Sequence, residues 1–286
     1  MDYNYLLEEQ YKMNCAFNYA LQFLNHQTEE NCKRVCERHG YALLYVRNQT
    51  PDICKIACAQ DGRALEYVRI QTPDICKIAC AQNGYALRDV RNQTDDICKV
   101  ACAQNGLVIR YVQQPPEDIC KVACAQNGLA LGYIEQQTED ICKIACAQNG
   151  YALQFVKQQT QNICKIACAQ NGYALHFVKQ KTEELCKIAC EQNGNALQHV
   201  QNQTEDICKI ACAQNEHALL YCIHITAECF ALVSKECLEL IYIQMPQYKK
   251  LRVRELALAR ANWKVFVNGT RDVLCADIYE HIKQFI

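Results

Sequence analysis

The sequence has almost no net charge, which narrows the ligands that it could attract. Its 286 residues include 30 Lys and Arg against 31 Asp and Glu, a formal charge of -1. A balanced chain has no overall field that would draw it to nucleic acid or to an anionic membrane. Any such attraction must therefore come from a local cluster of charge.

The sequence also lacks a secretory leader and a long apolar run. It begins "MDYNYLLEEQYKMN", which has neither the basic start nor the apolar core of a signal peptide. Its most apolar late stretch, 218–243, is interrupted by Glu228, Lys235, Glu236 and Glu239, which are costly in a bilayer. We therefore predict a chain that is not secreted, has no transmembrane segment and stays in the cytoplasm, the host cytoplasm if it is viral.

Signatures of catalysis are missing too. There is no G-x-S-x-G, P-loop, H-E-x-x-H or Cys-His-Asn pattern. The sequence therefore predicts a protein that is not an enzyme, with no catalytic residues and no cofactor.

Glycine is scarce, and its placement reveals a repeat. Eight of the ten glycines occupy one slot of a 22-residue phrase. The phrase starts at Thr28 and recurs without insertion at Thr50, Thr72, Thr94, Pro116, Thr138, Thr160, Thr182 and Thr204. We predict an N-terminal cap with a degenerate copy over 1–27, nine regular copies over 28–225, and a degenerate copy with a helical cap over 226–286.

Each copy carries the start and end signals of two short helices. In the copy at Thr72, we predict that Thr72 is the N-cap of the first helix. The helix is expected to end at Asn83 and Gly84, with Gly84 in the left-handed conformation. The following segment "YALRDVRNQ" predicts a second short helix with one apolar side. Helices this short need stacking partners, so the predicted fold is all-α, an α/α solenoid of helix-turn-helix copies.

The repeat leaves one rival fold open. The segment "ICKIACAQNGY" also fits the template of leucine-rich repeats, whose period spans 22 residues. That interpretation predicts a strand in each copy and a leucine-rich-repeat-like binding protein.

The phrase "T-x-x-I-C-K-I-A-C-A-Q-N-G-Y-A-L-x-x-V" resembles the tandem repeats of a helical family of unknown function, found in mimivirus-like giant viruses and some intracellular bacteria. The likeness runs from Thr28 to about Ile225, and "QNGYAL" and the "QT" joint are its specific parts. The second cysteine departs from the valine of the family pattern. The resemblance implies a helical repeat protein of viral type and carries no assigned activity.

Cysteine is unusually abundant in this sequence. Of 23 cysteines, eighteen form nine pairs spaced i, i+4. A zinc site needs four ligands that converge, whereas stacking should bring each pair against the Ile of the next copy. We therefore predict no metal site and no disulfide framework, and interpret the pairs as small apolar fillers.

Two further registers are interpreted as structural. A lysine at the same position of all nine copies follows an aspartate by three residues in most of them, which predicts ion pairs within each helix and a neutralised surface. An aromatic register, Tyr45, Tyr67, Tyr111, Tyr133, Phe155, Phe177 and Tyr221, is expected in the core; Asp89 and His199 interrupt it.

The exposed side of the second helix varies between copies, and this variation is the main clue to function. Repeat scaffolds keep their core positions and vary a binding face, where Tyr and Arg are favoured. The candidate binding residues are Tyr41, Tyr85, Arg88, Leu107, Arg110, Tyr151, Gln154, Tyr173 and His176. They predict a non-enzymatic scaffold for a protein partner, with no membrane or nucleic acid involved.

A second functional hypothesis concerns the C-terminal cap. Its segment "YKKLRVRELALARANWKVFVNGT" is the only strongly basic stretch, and Trp263 could stack on a base. The alternative function is therefore a nucleic-acid-binding module.

Overall fold

The structure is a computed structural model, which describes residues 27–234, Leu21 and single positions between 237 and 253. Most of the predicted N-terminal cap and most of the basic C-terminal segment, including Trp263 and the last predicted helix, lie outside the described residues. Contacts divide the chain into two compact units, 1–148 and 149–286.

The prediction of an all-α solenoid is confirmed. Every copy has an α-helix followed by a 3-10 helix, and within each unit an element packs against its counterpart in the next copy. The α-helices are α1 Glu29–Arg38, α2 Pro51–Gln60, α3 Pro73–Gln82, α4 Asp95–Gln104, α5 Glu117–Gln126, α6 Glu139–Gln148, α7 Gln161–Gln170, α8 Glu183–Gln192, α9 Glu205–Gln214 and α10 Ala227–Ala231. The 3-10 helices are η1 Gly40–Tyr45, η2 Gly62–Tyr67, η3 Gly84–Asp89, η4 Gly106–Tyr111, η5 Gly128–Tyr133, η6 Gly150–Phe155, η7 Gly172–Phe177, η8 Gly194–His199 and η9 Glu216–Tyr221.

The leucine-rich-repeat alternative is wrong. Its segment "ICKIACAQ" is α-helical in the copies that carry it, and residues 27–234 contain no strand. Alanine and the N-cap threonine favour helix at this position more strongly than the leucine-like spacing favours a strand.

The α-helices bury a four-residue stripe. In α3, Ile75, Cys76, Ala79 and Cys80 are all at most 3% exposed, a helical i, i+1, i+4, i+5 pattern. Burial raises the pKa of the Cys80 thiol to about 12, so that thiol is protonated and unreactive at neutral pH. The 21 described cysteines are all buried and none of them is in a disulfide, which fits their predicted role in packing.

Threonine begins most of the α-helices. The Thr72 hydroxyl accepts a hydrogen bond from the backbone N–H of Ile75, whereas Thr94 makes no such bond at the start of α4. Replacing an N-cap that makes this bond costs about 1 kcal/mol.

We therefore expect Thr72→Ala to lower the free energy of unfolding by about 1 kcal/mol, and Thr94→Ala to lower it by much less. Urea titrations followed by circular dichroism would compare the two variants. Equal losses from both would contradict the assignment of the Thr72 hydrogen bond as the stabilising one.

The second helix of each copy is 3-10 rather than α. Three residues complete a turn of a 3-10 helix, so side chains at i and i+3 eclipse one another. In η3, Gly84 and Leu87 are buried on one side together with Val90, while Tyr85 and Arg88 are exposed on another. The half-exposed second helix was predicted, but its tighter winding was not.

The prediction of left-handed glycines was wrong. The backbone φ lies outside the positive range at Gly40, Gly62, Gly84, Gly106, Gly150, Gly172 and Gly194. The helix instead ends at Asn83, whose φ is -146° and whose Oδ1 accepts from the N–H of Tyr85. Glycine is needed because a Cβ at Gly84 would lie 2.8 Å from the Ala101 carbonyl oxygen of the next copy.

Two glutamine ladders join the copies through their backbones. The first comprises the glutamines that end the α-helices: Gln60 Oε1, for example, accepts from the N–H of Gly40 in the preceding copy at 2.6 Å. The second comprises glutamines at the joints: Gln49 Nε2 donates to the carbonyls of Leu43 and Tyr67, and its Oε1 accepts from the N–H of Arg69. Because these backbone groups need partners when buried, the glutamines are structural.

Candidate functional site

Within each unit, the exposed positions of the 3-10 helices form a surface, and we call it the 3-10 face of that unit. It consists of the second, fifth and sixth residues of each 3-10 helix. Eclipsing places the second and fifth residues on one side of a helix. Six of the nine residues predicted from sequence are exposed there: Tyr85, Arg88, Arg110, Tyr151, Gln154 and His176. Tyr41, Leu107 and Tyr173 are half-buried.

The aromatic register does not belong to the core, contrary to the prediction. Tyr133 is 48% exposed and Phe155 38% exposed, and Tyr67, Tyr111 and Phe177 are half-buried. These side chains occupy the sixth position of the 3-10 helix. A helical wheel drawn for an α-helix places this position near the apolar side, whereas the tighter 3-10 winding turns it away from that side. The register therefore enlarges the 3-10 face.

In unit 1, rings on neighbouring copies contact edge to face. The centroids of Tyr41 and Tyr67 are 5.8 Å apart at an interplanar angle of 61°, and the Arg63 guanidinium lies 5.1 Å from the Tyr41 centroid. Such ring pairs and cation–π contacts hold side chains in place at a surface. The second position of one copy is thus paired with the sixth position of the next.

Arg110 continues this arrangement. Its guanidinium lies 5.7 Å from the Tyr85 centroid and 4.8 Å from the Tyr111 centroid, and it donates a 2.9 Å hydrogen bond to the Tyr111 hydroxyl. Arg88 pairs with Asp89 at 3.2 Å, so the aspartate that interrupts the aromatic register is a local ion-pair partner. Tyr85, Arg88, Asp89 and Tyr111 line one shallow groove.

In unit 2 the same positions form a cluster with histidines. Tyr151 contacts Phe177 at 6.1 Å between centroids, and Tyr173 contacts His199 at the same distance. His176 lies 4.9 Å from His199. Burial lowers the pKa of His199, and the charge of His176 lowers it further, which favours a neutral ring at neutral pH.

The lysine register is neutralised, but largely by partners in the next copy. Lys77 pairs with Asp96 of the next copy at 2.9 Å, although Asp74 in its own helix was the predicted partner. Lys187 pairs with Glu183 in its own helix at 2.9 Å and with Asp206 of the next copy at 3.6 Å. These ion pairs make the register a poor track for phosphates.

One group of side chains in the described part of the chain has the spacing of metal ligands. Cys212, Cys222 and Cys229 are buried, and their sulfurs lie within 4.8 Å of one another. The expectation that stacking keeps the thiols of different copies apart therefore does not hold at this end of unit 2.

Comparisons with protein-family models, with curated proteins and with solved structures find no match to this chain. In the part of the chain that the structure describes, every helix is too short or too polar to cross a membrane.

Proposed function

We propose that the chain is a non-enzymatic scaffold for protein–protein interaction and that the 3-10 face is its binding surface. The observation that carries this proposal is the contrast between a core that repeats and a face that varies. The buried Ile, Cys, Ala, Cys stripe recurs almost unchanged from α2 to α9. The second 3-10 position meanwhile holds Tyr, Arg, Leu, Asn or His.

The residue types on the face support a protein ligand. Tyr85 is 42% exposed and Tyr151 39% exposed, and rigid aromatic side chains bury large areas in interfaces at low entropic cost. Arg110 lies against the Tyr85 ring, where its charge is available to a carboxylate, whereas Arg63 is already paired with Asp61 at 3.0 Å. The unit 1 face therefore suits a partner that presents apolar side chains with an acidic one placed to meet Arg110.

The contacts on the face also favour binding without large rearrangement. The edge-to-face ring pairs and the bond from Arg110 to the Tyr111 hydroxyl already hold these side chains in defined positions. Side chains that are ordered beforehand lose less entropy when a partner binds.

The test compares two quadruple variants of the full chain. The face variant carries Tyr85→Ser, Arg88→Ser, Tyr151→Ser and Tyr173→Ser. The control variant carries Lys55→Ser, Lys77→Ser, Lys165→Ser and Lys187→Ser, which shortens the same number of side chains in the lysine register of the same two units. Both must first match the natural protein in circular dichroism and in urea midpoint.

The ligand is a protein partner that is enriched from cell lysate and then purified. We expect it to bind the control variant as tightly as the natural protein and the face variant at least about tenfold more weakly. The reason is that each lost interface anchor costs more than about 1 kcal/mol of binding free energy. Titration calorimetry would give both dissociation constants. Equal binding by the face variant would contradict the proposal. Capture that disappears after nuclease treatment would point to nucleic acid instead.

A further inference from the structure

The last regular copy departs from the repeat at two buried positions. The residue after each 3-10 helix is Val or Ile in the first eight copies, and it is Cys222 in the ninth. The third α-helical residue is Ile or Leu from α2 to α9, and it is Cys229 in α10. Both cysteines are fully buried, so they occupy core positions that the repeat otherwise fills with branched aliphatic side chains.

These two positions face the cysteine pair of α9. The sulfurs of Cys212 and Cys222 are 3.8 Å apart, and the Cys229 sulfur lies within 4.8 Å of both. A tetrahedral zinc ion with Zn–S bonds of about 2.3 Å holds its sulfurs about 3.8 Å apart. Three thiols therefore already have nearly the spacing that one such ion requires.

Cys208 supplies a fourth sulfur. It is buried one helical turn before Cys212, and it interacts electrostatically with Cys222 and Cys229. It also donates to Gln203 Oε1 at 3.5 Å, and the same oxygen accepts the N–H of Ile223 at 2.8 Å. Gln203 thus positions both Cys208 and the backbone that follows Cys222, and the corresponding glutamines of regular copies make the same bond to their cysteines.

One buried charged side chain lies close to these sulfurs. Lys249 is the one buried charged residue in the described part of the chain. It donates to the Leu220 carbonyl, and it interacts electrostatically with Cys222 and Cys208. An ammonium beside the sulfurs would compensate part of the charge of a four-thiolate site.

We propose that Cys208, Cys212, Cys222 and Cys229 bind one zinc ion that fastens α10 and the segment before it to α9. Binding forms four Zn–S bonds and releases the four thiol protons to solvent, with no change of oxidation state. The sequence interpretation that predicted no metal considered the regular cysteine pairs, which were expected to face isoleucines of the next copy, and did not weigh Cys222 and Cys229.

The experiment uses the full chain purified under reducing conditions without chelator. The site variant carries Cys222→Val and Cys229→Ile, which restore the residues of the regular copies and should preserve packing. The control variant carries Cys164→Ala and Cys186→Ala, which remove two buried thiols from regular copies of the same unit. Metal content is measured by mass spectrometry, and the ligand set by X-ray absorption and by the visible spectrum after exchange with Co²⁺.

We expect about one zinc per chain in the natural and control proteins, with four sulfurs at about 2.3 Å, and none in the site variant. Equal zinc in the site variant, or absence of both bound zinc and a thiolate–Co²⁺ spectrum in the natural protein, would overturn the proposal. A spectrum with three sulfurs and one lighter atom would overturn the assignment of Cys208. Alkylation of the denatured proteins that finds equal numbers of thiols in the natural protein and in the site variant, rather than two more in the natural protein, would show a disulfide instead.

Discussion

Gly150→Ala is expected to destabilise unit 2 by about 3 kcal/mol, the upper part of the range for overpacking. A Cβ at Gly150 would lie 2.6 Å from the Ala167 carbonyl oxygen and 2.9 Å from the Asn171 Cβ. Both belong to the next copy and one is backbone, so a side-chain rotation cannot relieve the contact. The Gly150 N–H also donates to Gln170 Oε1 at 2.6 Å, and any shift that relieves the contact would weaken this bond.

Gly132→Ala is the matched control for this experiment. Gly132 lies at the fifth position of η5, is exposed, and stands where other copies carry Arg, Gln or His. Its replacement should leave stability unchanged or raise it by about 0.5 kcal/mol, because alanine restricts the unfolded chain. Urea unfolding followed by circular dichroism measures both variants, and similar losses from the two would show that close approach between copies is not what requires glycine at position 150.

Gln159→Ala is expected to lower the free energy of unfolding by about 2 kcal/mol, the cost of leaving partly buried backbone groups without partners. Gln159 Nε2 donates to the carbonyls of Leu153 and Phe177, and its Oε1 accepts from the N–H of Lys179. One side chain therefore bonds two copies at three backbone groups, and alanine replaces none of these bonds.

The neighbouring residue gives the comparison for this variant. Gln158 has the same side chain one position earlier but is exposed, so Gln158→Ala should stay within about 0.5 kcal/mol of the natural protein. Hydrogen exchange at Lys179 adds a local readout, since its amide should exchange faster in Gln159→Ala alone. Unchanged protection of that amide would contradict the role assigned to Gln159.

Much of the fold could be predicted from the sequence because the same local signals for helix start, helix end and buried side recur in nine copies. The 22-residue period, the threonine caps and the helical stripe of Ile, Cys and Ala predicted the α-helices and their buried side correctly. A six-residue segment is too short for apolar periodicity to separate 3.0 from 3.6 residues per turn. For that reason the aromatic register was placed in the core, although Tyr133 and Phe155 are exposed.

What the sequence could not provide is the spacing between copies. Lys77 was assigned to Asp74 because helical spacing is known beforehand, whereas the approach of Asp96 depends on how α3 and α4 stack. The glycine slot was likewise interpreted from local conformation, although its cause is the Ala carbonyl of the next copy. Six of the nine predicted site residues are exposed, because their register was inferred from within-chain variation rather than from packing.

The bonds between copies also bear on how such a chain could change its length. Gln60 reaches back twenty residues to Gly40, Lys77 reaches forward nineteen to Asp96, and both relations recur in later copies. Duplicating or deleting one whole copy leaves every such relation intact on both sides of the joint. Loss of a single residue inside a copy would misplace them all at that joint. Since each copy spans a whole number of codons, gain or loss of one whole copy would keep both reading frame and register, so that the row of exposed 3-10 positions can lengthen or shorten in single steps.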